Sequence, residues 1–241
     1  MIVKTKGVVV YKVKYSETSL IVHLYTEDLG LKAFIVKGVR AKKSKISVAM
    51  FDYLNVLDVV ASQGGNSDLL TLREVSFSED NSHHAFDPVK NSILLFLAEF
   101  IHKTVVSSVT DPMLFRFINN SIHVFKHSQL PMVDFHLWFA TKYSMYLGIQ
   151  PINNYSEKCQ IFNVQHSEFS NNSFDSEGVF SLSSSKILNH YLNVTINECV
   201  NNKFSLEQRN QFLDEILFYY RYHLEHFKGL KSHEILKSVF R

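Results

Sequence analysis

The sequence predicts an α+β protein in which a small five-stranded barrel is followed by an all-helical domain. Two observations support this fold class: before residue 80 the apolar residues recur at every second position in short runs, and after residue 87 they recur at helical spacing. Of the 241 residues, 46% are hydrophobic and 20% charged, so the chain can bury a sizeable core. We expect one domain at 1–80 and a second at 81–241, with an irregular insertion at about 152–185.

Five strands are predicted in the first eighty residues. They contain the runs Val8–Val13, Leu20–Tyr25, Ala33–Lys37, Tyr53–Ala61 and Leu69–Phe77. The second run shows the period of two most clearly. Turns are predicted at Asp28–Gly30 and at Gln63–Asn66, the latter as a hairpin loop. Five short strands in so few residues are typical of a small barrel of the oligonucleotide-binding type.

Helix signals begin after the barrel segment. Asp87 and Asp111 each precede a proline, which is typical of an N-cap followed by proline at the first helical position. A third helix is predicted from Asp134 to Leu147, before a glycine. Ser205 and Gln208 form a capping box at the start of a long helix with an apolar face. The insertion between these helices is rich in Asn, Ser and Gln and has no clear period.

Cationic residues are concentrated at the start of the chain. The first fifty residues contain ten lysines and arginines but only three acidic residues. Residues 51–80 contain one basic and six acidic residues, and residues 81–241 contain fourteen basic and fourteen acidic residues. The densest group surrounds Gly38 and consists of Lys37, Arg40, Lys42, Lys43 and Lys45. Such a loop can follow a nucleic-acid backbone, because each cation that neutralises a phosphate releases a counterion. Lys12 and Lys14 would extend this track, and the alternative is that these cations only solvate strand edges and loops.

Two further groups of residues offer contacts to nucleic acid. Tyr11, Tyr15 and Tyr25 are available to stack on bases, the alternative being core or barrel-end packing. A second basic cluster near the C-terminus consists of Arg221, His223, His226, Lys228 and Lys231. In this cluster we expect DNA contacts from Arg221, Lys228 and Lys231, the alternative being that cations at a helix end stabilise the helix dipole.

Three segments of the chain resemble the RecO family of bacterial DNA repair proteins. They are Ser16–Ser44, which contains Tyr25-Thr26-Glu27-Asp28-Leu29-Gly30 and Val36-Lys37-Gly38-Val39-Arg40, then Tyr146–Pro151, and finally Leu230–Leu236. The three segments occur in family order and span nearly the whole chain. The resemblance implies an oligonucleotide-binding barrel followed by a helical domain, and it implies binding and annealing of single-stranded DNA. It also implies interaction with RecR and with single-stranded-DNA-binding protein and help in loading RecA, while the participation of RecF stays open.

The resemblance further suggests that the helical domain captures the acidic, apolar C-terminal tail of single-stranded-DNA-binding protein. Lys142 lies close in sequence to Phe139 and Tyr146, and these residues would form an apolar pocket with a cationic rim. The alternative is that the three residues belong to the core.

Metal binding, catalysis and membrane insertion are not expected. Many relatives in the family have four zinc-binding cysteines after the second segment, whereas this chain contains only Cys159 and Cys199. A closed zinc site needs four suitably spaced ligands, so we expect no metal and no cofactor. No Ser/His/Asp order, phosphate-binding glycine loop or HExxH motif occurs, and we expect no catalytic residues. The N-terminal residues lack an apolar signal core and no apolar run approaches the roughly 20 residues of a membrane span, so we expect a cytoplasmic protein without a membrane partner.

Two alternative functions stay open at this stage. The barrel could instead belong to a protein-interaction adaptor that grips a peptide or a partner subunit, or to an RNA-binding module, because barrels of this type serve several ligands. Nucleic-acid binding weakens steeply with salt, whereas binding in an apolar peptide groove does not. Salt dependence therefore separates the first alternative from DNA binding, and a comparison of single-stranded DNA, duplex DNA and RNA separates the second.

Overall fold

A computed structural model describes residues 2–42, 44, 46–63, 68–78, 87–106, 109–171, 178–200 and 204–240. The chain divides into two compact units, residues 1–122 and 123–241. The predicted domain boundary at residue 80 stays a prediction. Within the described ranges, no helix has the length and apolar character needed to cross a membrane.

The first unit contains a closed five-stranded barrel. Its strands are β1 (Ile2–Lys14), β2 (Leu20–Thr26), β3 (Gly30–Val36), β4 (Val56–Gln63) and β5 (Leu69–Phe77). Around the barrel they follow the order β1-β2-β3-β5-β4, with β3 and β5 parallel and the other pairs antiparallel. This closed barrel confirms the fold predicted for the N-terminal segment. The predicted hairpin loop at Gln63–Asn66 falls largely outside the described residues.

Closure of the barrel depends on β1, which pairs with β4 along its first half and with β2 along its second half. Gly7 lies where the two halves overlap and is paired with both Leu57 and Thr26. A Cβ atom at Gly7 would lie 3.0 Å from the Cβ of Leu24, closer than side-chain atoms normally approach. Glycine at this position therefore lets β2 approach β1 where β1 changes partners.

The barrel interior is filled by apolar side chains from all five strands. They include Val9, Leu20, Val22, Leu24, Phe34, Val36, Leu57, Val59, Ala61, Leu70 and Leu72. A 3₁₀ turn at Val48–Phe51 adds the fully buried ring of Phe51 to this cluster. The side chain of Ser47 accepts a hydrogen bond from the backbone of Ala49 and caps this turn.

A β-bulge at Val10 interrupts the alternation of β1. Val9 pairs with Leu24 and Tyr11 pairs with His23, so Val10 is an extra residue on the β1 side of the ladder. Val9 belongs to the barrel core. Without the bulge Tyr11 would point the same way as Val9, because side chains two positions apart share a face. The bulge instead aligns Tyr11 with His23, on the outside of the barrel.

Two helices that start within the first unit begin at the predicted caps. Helix α1 spans Pro88–Thr104 and packs against β1, and helix α2 spans Pro112–His127. The Asp87 carboxylate accepts hydrogen bonds from the backbone N–H groups of Val89 and Lys90. The carboxylate of Asp111 accepts the equivalent pair at the start of α2. Both cap predictions are confirmed, because each carboxylate satisfies N–H groups that have no partner within the helix.

The second unit is mainly helical. It contains α3 (Phe135–Tyr143), α4 (Leu182–Asn193), α5 (Leu206–His223), α6 (Ser232–Val239) and a short hairpin of β6 (Ile161–Asn163) and β7 (Glu168–Ser170). The predicted third helix is shorter than expected, since it ends at Tyr143 and continues to Leu147 as a 3₁₀ turn before Gly148 adopts φ +73°. The capping box of Ser205 and Gln208 is present.

The insertion at about 152–185 has more order than its polar composition predicts. Among its described residues, the ring of Phe162 contacts three other rings, those of Phe169, Phe180 and Tyr219, at centroid distances of 5.3, 5.0 and 5.5 Å. The Ser185 hydroxyl accepts a hydrogen bond from the Phe162 backbone. Aromatic packing on helix α5 therefore holds the hairpin in place.

A buried ion pair joins α5 to the start of α3. Arg209 Nη1 lies 3.0 Å from Asp134 Oδ1, and the two side chains are only 12% and 2% exposed. Burial raises the pKa of the Asp134 carboxyl, and the charge and hydrogen bond of Arg209 oppose this shift. The ring of Phe240 lies 5.5 Å from the Arg209 guanidinium and 5.8 Å from the His136 ring, so the C-terminal segment covers this ion pair.

We predict that Asp134→Ala destabilises the protein by about 3–5 kcal/mol, because it leaves the Arg209 guanidinium buried without its counter-charge. The control is Asp214→Ala, which removes the ion pair between Lys237 and the 56% exposed Asp214 and should cost less than about 1 kcal/mol. Urea unfolding of both variants measures the difference. Equal losses of stability would show that the Arg209–Asp134 pair does not stabilise the fold more than a surface pair does.

Candidate nucleic-acid interface

The predicted basic loop, residues 37–45, comes directly after β3, and its described residues make several backbone hydrogen bonds. Arg40 donates a backbone hydrogen bond of 3.0 Å to the carbonyl oxygen of Thr18 in the β1–β2 turn. The backbone N–H of Ala41 donates to the carbonyl oxygen of Gly38, and that of Ser44 donates to the carbonyl oxygen of Ala41. Gly38 has φ +69°, a conformation that favours glycine. The loop is therefore tied to the neighbouring β1–β2 turn at one end of the barrel.

The cations of this loop are exposed where the structure describes them. Lys37, Arg40 and Lys42 are all exposed, whereas Lys43 and Lys45 lie outside the described residues. Within the described part of the chain, no salt bridge involves Lys37, Arg40 or Lys42. Three positive charges are thus presented to solvent on a fixed backbone, as a phosphate-binding surface requires.

The two lysines predicted to extend this track differ from each other. Lys12 Nζ lies 2.7 Å from Asp52 Oδ1 and 5.6 Å from the centre of the Tyr53 ring. Its charge is therefore partly compensated within the protein. Lys14, at the end of β1, is exposed. Of these two residues, Lys14 is the better candidate for a phosphate contact.

The three candidate stacking tyrosines have different environments. Tyr25 is 1% exposed and lies 6.3 Å from the Phe115 ring, and burial raises the pKa of its hydroxyl. It belongs to the core and cannot stack on a base, so the alternative of core packing holds for Tyr25. Tyr15 is 59% exposed and Tyr11 is 39% exposed. Both can reach a ligand from the outside of the barrel.

The C-terminal cluster lies in the second unit and is only partly cationic. Arg221, Lys228 and Lys231 are exposed. The His223 ring instead lies 2.8 Å from the Val164 carbonyl oxygen and packs 4.5 Å from the Tyr219 ring, so it supports the hairpin. Phe218 and Tyr222 lie on the same helix as Arg221 and are 40% and 50% exposed. Arg221 is therefore accompanied by accessible aromatic surface, which sequence reasoning missed.

The predicted partner-binding residues do not form a surface pocket. Phe139 is fully buried and stacks 5.3 Å from Tyr143, so it is a core residue and cannot line an exposed groove. Lys142 Nζ donates a 2.8 Å hydrogen bond to the carbonyl oxygen of Leu192, and burial lowers the pKa of its ammonium group. Tyr146 is half-buried. Phe139 is thus part of the hydrophobic core of the second unit, as the alternative interpretation expected.

The two cysteines do not fit the zinc site of the relatives. Cys159 is half-buried, whereas Cys199 is buried and burial raises the pKa of its thiol to about 12. In the parts of the chain that the structure describes, no three His, Cys, Asp or Glu side chains are grouped to hold a metal ion. The absence of zinc stays a prediction.

Comparisons with known proteins agree with the barrel and the helical unit. Residues 1–80 match the family model "Recombination protein O N terminal", and residues 85–234 match "Recombination protein O C terminal". The chain is 31% identical over 252 residues to the DNA repair protein RecO of Flavobacterium psychrophilum. It is 30% identical over 243 residues to the protein of the same name from Phocaeicola vulgatus and 29% over 244 residues to that from Christiangramia forsetii. Each of these matches covers 100% of both chains.

We predict that the hairpin is stabilised by its aromatic rings and not by zinc. Protein purified without chelator should contain far less than one zinc per chain by elemental analysis, and a chelator should leave the melting temperature unchanged. Phe162→Ala should lower the free energy of unfolding by about 3–5 kcal/mol, because Phe162 is completely buried. One zinc per chain, or a chelator that destabilises the protein, would contradict this prediction.

Proposed function

The chain belongs to the RecO family of DNA repair proteins, and on this basis we propose that it is a recombination mediator that binds and anneals single-stranded DNA. In this role it helps to load RecA onto DNA together with RecR. It performs no catalytic step of its own and uses no cofactor. It works in the cytoplasm, in contact with the chromosome.

The observation that carries this proposal is the position of the basic loop. Barrels of the oligonucleotide-binding type bind their ligands on the outer face of strands 2 and 3, bordered by the loop between strands 1 and 2. Here the Arg40 backbone is hydrogen-bonded to Thr18 in that loop. The exposed cations Lys37, Arg40 and Lys42 therefore border the surface that barrels of this type use.

The chemistry of this surface favours binding through phosphates. Lysine and arginine side chains neutralise phosphate charge and carry little sequence information by themselves. A surface of this kind binds strands of many sequences, as a repair protein that acts at any damaged site requires. Its affinity falls steeply as the salt concentration rises, because counterions are released on binding.

The second cationic cluster supports the annealing part of the proposal. Arg221, Lys228 and Lys231 are exposed in the second unit, whereas the basic loop belongs to the first. Annealing requires two strands that repel each other to be brought together, and each needs positive charge to offset that repulsion. We assign the basic loop as the principal contact and the C-terminal cluster as a second contact.

Partner proteins complete the proposed role. RecR and single-stranded-DNA-binding protein are the direct partners, and RecA and RecF act in the same process. The tail of single-stranded-DNA-binding protein, which is acidic and apolar, suits a surface that combines a cation with accessible aromatic rings. Phe218, Arg221 and Tyr222 provide this combination on α5, whereas Phe139 is buried. The tail is therefore proposed to bind at α5 rather than at Lys142.

Removal of the loop cations should weaken DNA binding without unfolding the protein. In the variant Lys37→Ala/Arg40→Ala/Lys42→Ala, the log–log slope of affinity against salt should become shallower by roughly 0.7 for each lost phosphate contact on single strands. Affinity should fall similarly for all sequences. Stability should change by only about 0.5 kcal/mol per position, because exposed loop substitutions have small effects. Fluorescence titration of labelled strands at several salt concentrations measures the slope.

The matched control for this experiment is Arg116→Ala/Lys158→Ala/Lys186→Ala, which removes the same charge from three exposed positions elsewhere. If both triple variants lose affinity equally, net charge alone explains the effect. If the loop variant stays folded and binds with unaltered affinity and slope, the DNA surface lies elsewhere. Parallel titrations with duplex DNA and RNA test the RNA-binding alternative, and binding that is insensitive to salt would support the adaptor.

A peptide with the tail sequence of single-stranded-DNA-binding protein should bind the full chain. Arg221→Ala/Tyr222→Ala should weaken its binding more than about fivefold, because truncation of interface residues that dominate binding costs more than 1 kcal/mol. Lys142→Ala should leave the affinity unchanged, and fluorescence anisotropy of a labelled peptide measures both. A peptide that does not bind the wild-type chain would contradict the proposed partner, and a large effect of Lys142→Ala would return the site to its predicted position.

A further inference from the structure

We propose that Tyr11 is a stacking platform for one unpaired base and that His102 and His23 are the positioning residues that hold its ring. By this inference helix α1, which lies outside the barrel, contributes to nucleotide binding on the barrel. The inference rests on the proposed function, since it names a base contact within the proposed DNA-binding surface.

The bulge at Val10 brings Tyr11 to the outside of the barrel. It places Tyr11 opposite His23, although Val9, two positions earlier, faces the core. Bulges often re-aim a side chain beside a functional site. The result is an aromatic ring that is 39% exposed on a rigid strand.

Two imidazole rings fix the orientation of the Tyr11 ring. The His102 ring is stacked on it with centroids 4.9 Å apart and planes only 7° from parallel. The His23 ring meets it at 85°, with centroids 5.3 Å apart. Among the described residues, these two are the rings in contact with Tyr11. One face of Tyr11 is thus covered by His102, and the exposed part of the ring is available to a ligand.

The two histidines also hold each other. His102 Nε2 and His23 Nδ1 are hydrogen-bonded at 3.0 Å, and this bond connects α1 to β2 across 79 positions of the chain. Burial lowers the pKa of His102 to about 4 and also lowers the pKa of His23. Both rings are therefore neutral near pH 7 and pack as uncharged aromatic groups. A ring held in this way loses little additional side-chain freedom when a ligand binds.

The surroundings of Tyr11 suit a base better than a phosphate. Val13 in β1 is 41% exposed and Tyr15, directly after β1, is 59% exposed, so accessible apolar and aromatic side chains follow Tyr11 in the chain. The adjacent cation, Lys12, is already paired with Asp52. Contact at Tyr11 is thus expected to add affinity through stacking and not through counterion release. This distinguishes it from the basic loop.

A cross-linking experiment on the wild-type full chain tests the contact directly. Single strands that carry 5-iodouracil are irradiated in complex with the protein, because this base cross-links efficiently to an aromatic ring stacked on it. The tryptic peptide Gly7–Lys12 contains Tyr11 as its only aromatic residue, whereas Tyr15, His23 and Tyr25 all lie in Tyr15–Lys32. A cross-link in Gly7–Lys12, identified by mass spectrometry, supports the proposal. Strands that bind but cross-link only elsewhere overturn it.

Substitutions then separate stacking from charge and from folding. Tyr11→Leu should reduce affinity for single strands roughly 5- to 150-fold with an unchanged salt slope. His102→Leu should reduce it roughly 2- to 10-fold, because the Tyr11 ring loses its support. His102→Phe keeps a ring at that position and should restore affinity to within about 2-fold of wild type. Phe77→Leu, at a comparably exposed aromatic residue of β5, is the control and should have no effect.

The affinities of these variants and the cross-links test the stacking role of Tyr11, the positioning role of His102 and the proposed function separately. Normal affinity of the folded Tyr11→Leu variant, or a loss accompanied by a shallower salt slope, overturns the stacking platform. Equal affinities of His102→Leu and His102→Phe overturn the positioning role of His102. If the wild-type chain binds no single strands under any salt condition, the proposed function itself fails. If it binds them but the Tyr11 variant and the cross-links give the contrary results, only the present inference fails.

Discussion

Closure of the barrel depends on β1, which pairs with its two neighbours along different halves of its length. β1 hydrogen-bonds to β4 and then to β2, and the change of partner occurs around Gly7. At that point Leu24 approaches so closely that a side chain on residue 7 would require Leu24 to shift. Closure gives every strand a partner strand on both sides, so the barrel has no open sheet edge. The ends of the strands are fixed relative to one another as a result.

Much of the candidate interface follows from this closure. The β1–β2 turn and the segment after β3 emerge at the same end of the barrel, because β2 runs antiparallel to both β1 and β3. A backbone hydrogen bond between Arg40 and Thr18 then ties the two together. The cations lie on this frame rather than on a free tail. A fixed backbone lowers the entropy that is lost when a strand binds.

The sequence was a good guide wherever a local rule decided the structure. Asp87, Asp111 and Ser205 cap helices as predicted, because capping depends on residues within one turn of each other. The hairpin at Ile161–Ser170 and helix α4 were not predicted, since their polar sequence lacks a clear period and the packing that orders them comes from α5. Tertiary packing of this kind cannot be derived from local composition.

The candidate site was predictable in its charges and not in its geometry. The exposed cations of the basic loop could be located by counting, but the role of His102 depends on a contact between residues 79 positions apart. The bulge at Val10 has no sequence signal that marks it, and it reverses the expected direction of Tyr11. Tyr25 was considered as a base-stacking residue because it lies close in sequence to the basic region, but it is buried in the core. Residue type alone therefore could not separate these tyrosines.

The shared strand also sets the order in which the protein can acquire structure during synthesis. Ile2 pairs with Ser62, and the parallel β3–β5 pair needs residues 69–71, so the barrel cannot close until these late segments have left the ribosome. Pairings between distant residues form slowly compared with helices. Until then the apolar residues of β1 and β2 lack their final neighbours and expose the surface that promotes aggregation. The high density of lysine gives residues 1–50 a net positive charge, which favours the solubility of this segment before the barrel is complete.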